Sequence, residues 1–176
     1  MRKTLAMLWA SILVMLALYP GNAAAQAKNG VLLPAEQRKQ APELGLEDSA
    51  GKQANLKDYR GQVVVVDFWA TWCHGCLREM PWFGEFQRKY GDQGLSVIGV
   101  SLDVEGWKVV KPFVTKAAVP YRIVLGNDSS AKAYGIGNMP DTFLIDQEGR
   151  IASTYIGMVD KDGLEQNIQR LLARKK

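Results

Sequence analysis

Val63-Val64-Val65-Val66-Asp67-Phe68-Trp69-Ala70-Thr71-Trp72-Cys73-His74-Gly75-Cys76 is the stretch whose reading decides the fold. Four valines followed by Phe68 and Trp69 suit a central strand buried on both faces, where no polar alternation is needed. The run stops one turn before a cysteine pair with the spacing of a helix start, so the pair is expected at the carboxyl end of a core strand. In open α/β sheets that end is where chemistry collects. Cys73 and Cys76 are the only cysteines of the 176-residue chain, and His74 is its only histidine. By itself, such a pair fits a redox couple, half of a metal site or a structural staple.

Downstream, Cys76, Met80, Phe83 and Tyr90 recur at helical spacing as far as Gly91, with Pro81 inside the run. Leu95 to Leu102 reads as a second strand, 106–118 as a helix containing Pro112, and Tyr121 to Leu125 as a third strand. A short helix, capped by Asp128, ends at Gly135. Strands at Thr142–Asp146 and Ile151–Ile156 flank the turn Gln147-Glu148-Gly149-Arg150, and a last helix opened by Asp160 carries Leu164, Ile168, Leu171 and Leu172 on one face. Upstream, Leu44 and Leu46 alternate toward a turn at 48–52, then Ala54 and Leu56, which suggests a small β-hairpin. The order of strands and helices predicts an α/β domain over 42–176 with a mixed central sheet flanked by helices: parallel crossovers first, a hairpin last.

The first 25 residues read differently. Arg2 and Lys3 precede an apolar run from Leu5 to Tyr19, and Ala23-Ala24-Ala25 offers small residues for cleavage before Gln26. The run is about five residues short of a full membrane span, so a cleaved signal peptide is expected, with a retained anchor as the rival. Residues 26–41 are polar, without periodicity, and read as a linker. Without Arg2 and Lys3 the formal charge falls from +4 to +2, which gives no argument for nucleic acid. The tail Arg174-Lys175-Lys176 reads as a solvated helix end.

Export sharpens the cysteine pair. A bridge closing so small a loop removes little entropy from the unfolded chain, and an exported domain stapled by disulfides carries several. The redox reading is therefore favoured. A thiolate at a helix N-terminus is stabilised by unpaired amides and the dipole, so Cys73 suits the attacking role and His74, when protonated, would add to the effect. Cys76, one turn in, suits the resolving role and needs a base. Two carboxylates are within reach: Asp67, costly on an apolar strand unless it has a purpose, and Glu79, on the same helix face as Cys76. The plainer alternatives are a paired strand-end aspartate and a surface glutamate. Met139-Pro140 precedes a strand and fits either a cis bond that bares backbone to an incoming peptide or an ordinary trans proline.

The segment Val65 to Cys76 resembles the active-site segment of the thioredoxin superfamily. Cys76-Leu77-Arg78-Glu79-Met80-Pro81, Met139-Pro140-Asp141-Thr142-Phe143-Leu144-Ile145-Asp146 and Gly149-Arg150-Ile151 resemble its exported TlpA/ResA-like branch. The resemblance implies a thioredoxin-like fold with an N-terminal β-hairpin and an inserted helix-strand segment, 104–125. It implies that Cys73 and Cys76 form the redox-active disulfide, that Pro140 is a cis-proline beside it, and that Trp72, His74, Met139 and Pro140 meet the substrate. Glu79 falls on the acidic position of this branch and Asp67 on the buried aspartate of thioredoxins proper. Two departures stand out: His74-Gly75 where many members carry a proline, and Asp67 where many carry asparagine.

The function this implies is thiol-disulfide exchange with protein disulfides, in the reducing direction. Cytochrome c maturation is one example, and electrons would come from a membrane donor. The protein would be periplasmic, or anchored to the inner membrane facing the periplasm. No cofactor and no metal are expected. The alternatives are a copper-binding metallochaperone on a related fold, disfavoured by the lack of any histidine after His74, and an oxidising or isomerising exchanger. A peroxidase would want proline and threonine seven and three residues before the attacking cysteine, where this chain has Val66 and Ala70.

Overall fold

A computed structural model of the protein describes residues 29–173. The expected export segment 1–25 and the tail 174–176 lie outside the described residues. The elements run β1 (Lys39–Gln40), β2 (Leu46–Glu47), β3 (Gln53–Ala54), β4 (Val63–Trp69), α1 (His74–Tyr90), β5 (Leu95–Ser101), α2 (Trp107–Lys116), β6 (Arg122–Leu125), α3 (Asp128–Tyr134), β7 (Asp141–Ile145), β8 (Arg150–Ile156) and α4 (Lys161–Leu172). Six strands form one sheet in the order β1-β8-β7-β4-β5-β6, and β2 and β3 form a separate hairpin. β4 pairs in parallel with β5 and antiparallel with β7, so the mixed sheet is as expected.

Every residue of β4 is buried. Val63, Val65 and Trp69 face the cluster that contains Phe83, Phe86, Leu164 and Ile168, from α1 and α4. Val64, Val66 and Phe68 face the other, with Leu46 and Ala54 of the hairpin and Tyr134 of α3. By strand alternation Asp67 belongs to the α1 face. The insertion α2–β6 adds an edge strand parallel to β5. Arg122 fixes the hairpin to that edge, bonding Asp48 through Nη2 at 2.8 Å and the Tyr59 hydroxyl at 3.0 Å.

Two expectations need correction. The cap of α3 is Asn127, one residue earlier than Asp128: its side chain accepts from the Ser130 amide while Ser130 Oγ accepts from the Asn127 amide. The reciprocal box satisfies two orphan donors at once, which Asp128 could not do from within the first turn. Nor do residues 29–41 form a free linker. Gly30 and Leu33 donate to the Thr154 and Ala152 carbonyls, and β1 pairs with β8, so this segment covers the sheet's outer edge. Arg38 is buried beneath it, donating to the Leu33 carbonyl and, at 3.1 Å, to Asp146 Oδ2. Asp146 also accepts from the Glu148 and Arg150 amides and from Arg150 Nε.

Because Asp146 is fully buried against a buried arginine, removing it strands a charge. Asp146→Ala is expected to lower unfolding free energy by roughly 3–5 kcal/mol, measured by guanidinium denaturation. A loss below about 1 kcal/mol would mean that the clamp is not what docks the N-terminal segment.

Candidate active site

The chain leaves β4 at Trp69 and enters α1 at His74, and a carboxylate holds the four residues between. Asp103, just past β5, accepts from the Thr71 amide and, at 2.5 Å, from Thr71 Oγ1, while Ser101 Oγ donates to its other oxygen. Cys73 then occupies the N-cap of α1, its Sγ accepting from the Cys76 amide at 3.2 Å. Cys73 and Cys76 are joined as a disulfide. Cys73 keeps 7% of its surface exposed and Cys76 none, so of the two residues only Cys73 reaches solvent.

The remaining predicted residues fall into two groups. On the outside, Trp72 is 63% exposed and His74 is exposed at the first helical position. The Met139-Pro140 bond is cis. Pro140 lies against the helix start: a Cβ added to Gly75 would sit 3.2 Å from Pro140 Cδ and 3.6 Å from Met158 Cγ. Met139 is half-buried beside it. On the inside, Asp67 and Glu79 are both completely buried. Glu79 Oε1 accepts from the Val159 amide and Asp67 Oδ1 accepts from Thr142 Oγ1 at 3.3 Å, while the second oxygen of each has no protein partner.

Burial drives the acidity of both. It pushes Glu79 up to about 7 against the opposing Val159 amide. Burial, then the charge of Glu79, holds Asp67 well above the ordinary carboxylate range, with Asp141 adding to it and the Thr142 hydroxyl working the other way. Two buried carboxyls that repel each other titrate as a pair. A group ionising near neutrality can exchange a proton with a thiol.

Sequence reading does not find Asp103, although an aspartate at the carboxyl end of a core strand was a usable signal. The Val159 amide carries no sequence signal, since it acts through its backbone.

A thioredoxin-like fold with a disulfide bridge at a strand-to-helix junction defines a thiol-disulfide oxidoreductase, whose substrates are thiols and disulfides. The chain belongs to the AhpC/TSA family, whose model matches residues 38–154, and within it to the TlpA/ResA-like thiol-disulfide oxidoreductases. Thiol-disulfide oxidoreductase ResA of Geobacillus thermodenitrificans is 35% identical over 132 residues, 74% of this chain and 75% of that protein. Thioredoxin-like protein YneN of Bacillus subtilis is 28% identical over 89% of this chain and 93% of its own length. Among solved structures, a candidate thiol:disulfide interchange protein DsbE from Chlorobium tepidum is similar with a TM-score of 0.72 and 32% identity, covering 77% of this chain and 96% of that one. The family match does not alter Val66 and Ala70, which still stand where the peroxidase pattern wants proline and threonine.

The raised carboxyl leaves a mark on stability. The folded chain binds the Glu79 proton more tightly than the unfolded chain does. Unfolding free energy therefore falls as pH climbs from the ordinary glutamate range near 4.5 to about 7, then levels. Glu79→Gln keeps an oxygen for the Val159 amide and removes the ionisation. At pH 7.5 it is expected to be more stable than the wild type by roughly 2–3 kcal/mol, the gap closing near pH 4.5, as read from denaturant midpoints. A gap independent of pH would assign it to packing instead.

Proposed function

We propose that the protein is an exported reductase of protein disulfides in which Cys73 attacks and Cys76 resolves. The observation that carries this is the asymmetry of the pair: Cys73 keeps a little exposure on the N-cap of α1, while Cys76 is fully buried one turn in, on the helix that also buries Glu79. In the dithiol state the Cys73 thiolate attacks a substrate disulfide, forming a mixed disulfide and releasing one substrate thiolate. Cys76 gives its proton to the Asp67–Glu79 pair and attacks Cys73 Sγ. The second substrate thiolate leaves, and the enzyme's bridge re-forms. Two electrons pass to the substrate, and a thiol donor on the membrane must return them.

Trp72, His74, Met139 and Pro140 form the rim that an extended cysteine-containing segment would lie on. Residues 1–25 act as signal peptide or anchor, which puts the rest of the chain in the periplasm, with residues 29–41 docked on the outer edge of the sheet. The haem-binding cysteines of an apocytochrome c, a CxxC pair that has to be reduced before haem attachment, suit such a site. The reducing direction draws on the 35% identity to ResA and on the family resemblance. Among the described residues no helix is long and apolar enough to cross a membrane.

The order of attack and the direction are tested together. Cys76→Ser is expected to accumulate a mixed disulfide on Cys73, seen by mass spectrometry, whereas Cys73→Ser traps nothing and loses exchange by at least a hundredfold. The pair's reduction potential should lie nearer the thioredoxin end of the scale, about −270 mV, than the strongly oxidising end, about −120 mV. Exchange retained by Cys73→Ser sinks the nucleophile, and a potential near −120 mV sinks the direction.

A further inference from the structure

Six buried side-chain polar atoms among the described residues have no protein partner, and four of them belong to the surroundings of the buried acids: Asp67 Oδ2, Glu79 Oε2, Trp69 Nε1 and the Tyr121 hydroxyl. Buried polar groups are almost always hydrogen-bonded, to water where protein does not serve. The four are chemically complementary. The two carboxylate oxygens accept, the indole N–H can only donate, and the phenol O–H can donate.

Their placement follows from the sheet. Asp67 and Trp69 lie on the same face of β4, and Gly99 is the partner of Asp67 across the β4–β5 pairing. Having no side chain, Gly99 lets its neighbours come down over the strand. A Cβ there would lie 3.0 Å from Trp69 Nε1, 3.2 Å from Tyr121 Cε2 and 2.7 Å from Ile123 Cδ1. Phe113 of α2 packs on the Trp69 ring at 5.6 Å. Tyr121, which precedes β6, is 8% exposed. The insertion thus brings a donor to the buried acids while its next residue, Arg122, turns outward to Asp48.

We infer that Tyr121 and Trp69 are positioning residues for the proton acceptor: through bridging water they donate to the Asp67–Glu79 carboxylates and keep the charged form within reach. This rests on the reading above, in which those carboxylates take the proton of Cys76. The charged and titratable groups facing the pair are Asp67 from β4, Glu79 from α1, Asp141 from β7 and Tyr121 from the β6 side, with the Thr142 hydroxyl on Asp67 and the Val159 amide on Glu79. Three of these are carboxyls and none is a cation, so the charged form depends on neutral donors. Hydrogen bonds to a charged form lower its pKa, and losing them raises it.

A reaction with two resolvable steps tests this. The fully reduced protein is mixed with dithiobis(nitrobenzoic acid) in a stopped-flow instrument. The Cys73 thiolate attacks the reagent's disulfide and releases one thionitrobenzoate, leaving a mixed disulfide. Cys76, deprotonated by the buried pair, then attacks Cys73 Sγ and releases the second, so one reagent disulfide is reduced as one protein disulfide forms. Tyr121→Phe keeps the ring and removes only the hydroxyl. It is expected to leave the first release at the wild-type rate and to move the pH midpoint of the second upward by about one unit, about a tenfold slower release below the midpoint. Trp69→Phe should move it in the same direction. A midpoint unchanged or lowered in both variants overturns the inference. If Asp67→Asn and Glu79→Gln also leave the second release unmoved, the base assignment itself has failed. If those two variants shift it while Tyr121→Phe and Trp69→Phe do not, only the donors are wrong.

Discussion

Burial of β4 on both faces is the constraint from which the rest of the molecule follows. A strand with no exposed side must be paired on both edges and covered on both faces, and it receives β5 and β7 at its edges, α1 and α4 above, and the hairpin with α3 below. The chain can emerge only at the strand's ends. At the carboxyl end it has four residues in which to turn into α1, and the Asp103 carboxylate fixes that turn by gripping Thr71. The disulfide inherits its geometry from this: Cys73 falls on the N-cap, where helix amides are unpaired, and Cys76 falls one turn deeper against the sheet. The difference in burial between the two cysteines needs no special device beyond the strand's own burial.

The same constraint explains why two acids can sit near neutrality. Asp67 is carried into the interior by a strand buried on both faces, and Glu79 lies buried on the helix that the cysteines open. Each finds one protein donor and keeps one oxygen unpartnered. Such a pair lowers the stability of the folded state at neutral pH, and a fold under selection for stability alone would replace it with apolar groups. With Glu79 on the helix that carries Cys76, such a pair is the proton acceptor that the proposed exchange requires.

What could be read without coordinates tracks how much of each signal is local. β4 and α1 are legible because the run Val63–Val66 and the spacing Cys76, Met80, Phe83, Tyr90 report burial directly, and the strand-to-helix placement of the cysteines follows from their junction. Asp67 and Glu79 are legible as candidates because a charge within an apolar pattern is anomalous. The docking of residues 29–41 is not legible: the segment is held by backbone bonds to β8 and by Arg38, a residue type that normally signals solvent. The Val159 amide and the Tyr121 hydroxyl are equally silent, since their meaning lies in what they face across the sheet.

The insertion α2–β6 shows how an addition at a sheet edge can come close to a buried residue of the central strand. It extends the sheet at the edge beside β5, away from the cysteines in sequence and in strand order. Yet Gly99, on the intervening strand, removes the one side chain that would separate the edge from Asp67, so Tyr121 and Phe113 approach the same face as the acids and Trp69. A similar economy operates at the other side of the bridge. Gly75 lacks the Cβ that would crowd Pro140, and the 139–140 turn closes to within van der Waals reach of the helix start. A residue with a side chain at position 75 would have to displace Pro140 by a few tenths of an ångström. The dipeptide between the cysteines and the distance of the proline turn are therefore one variable. Gly75 sets how closely the proline turn approaches the helix start.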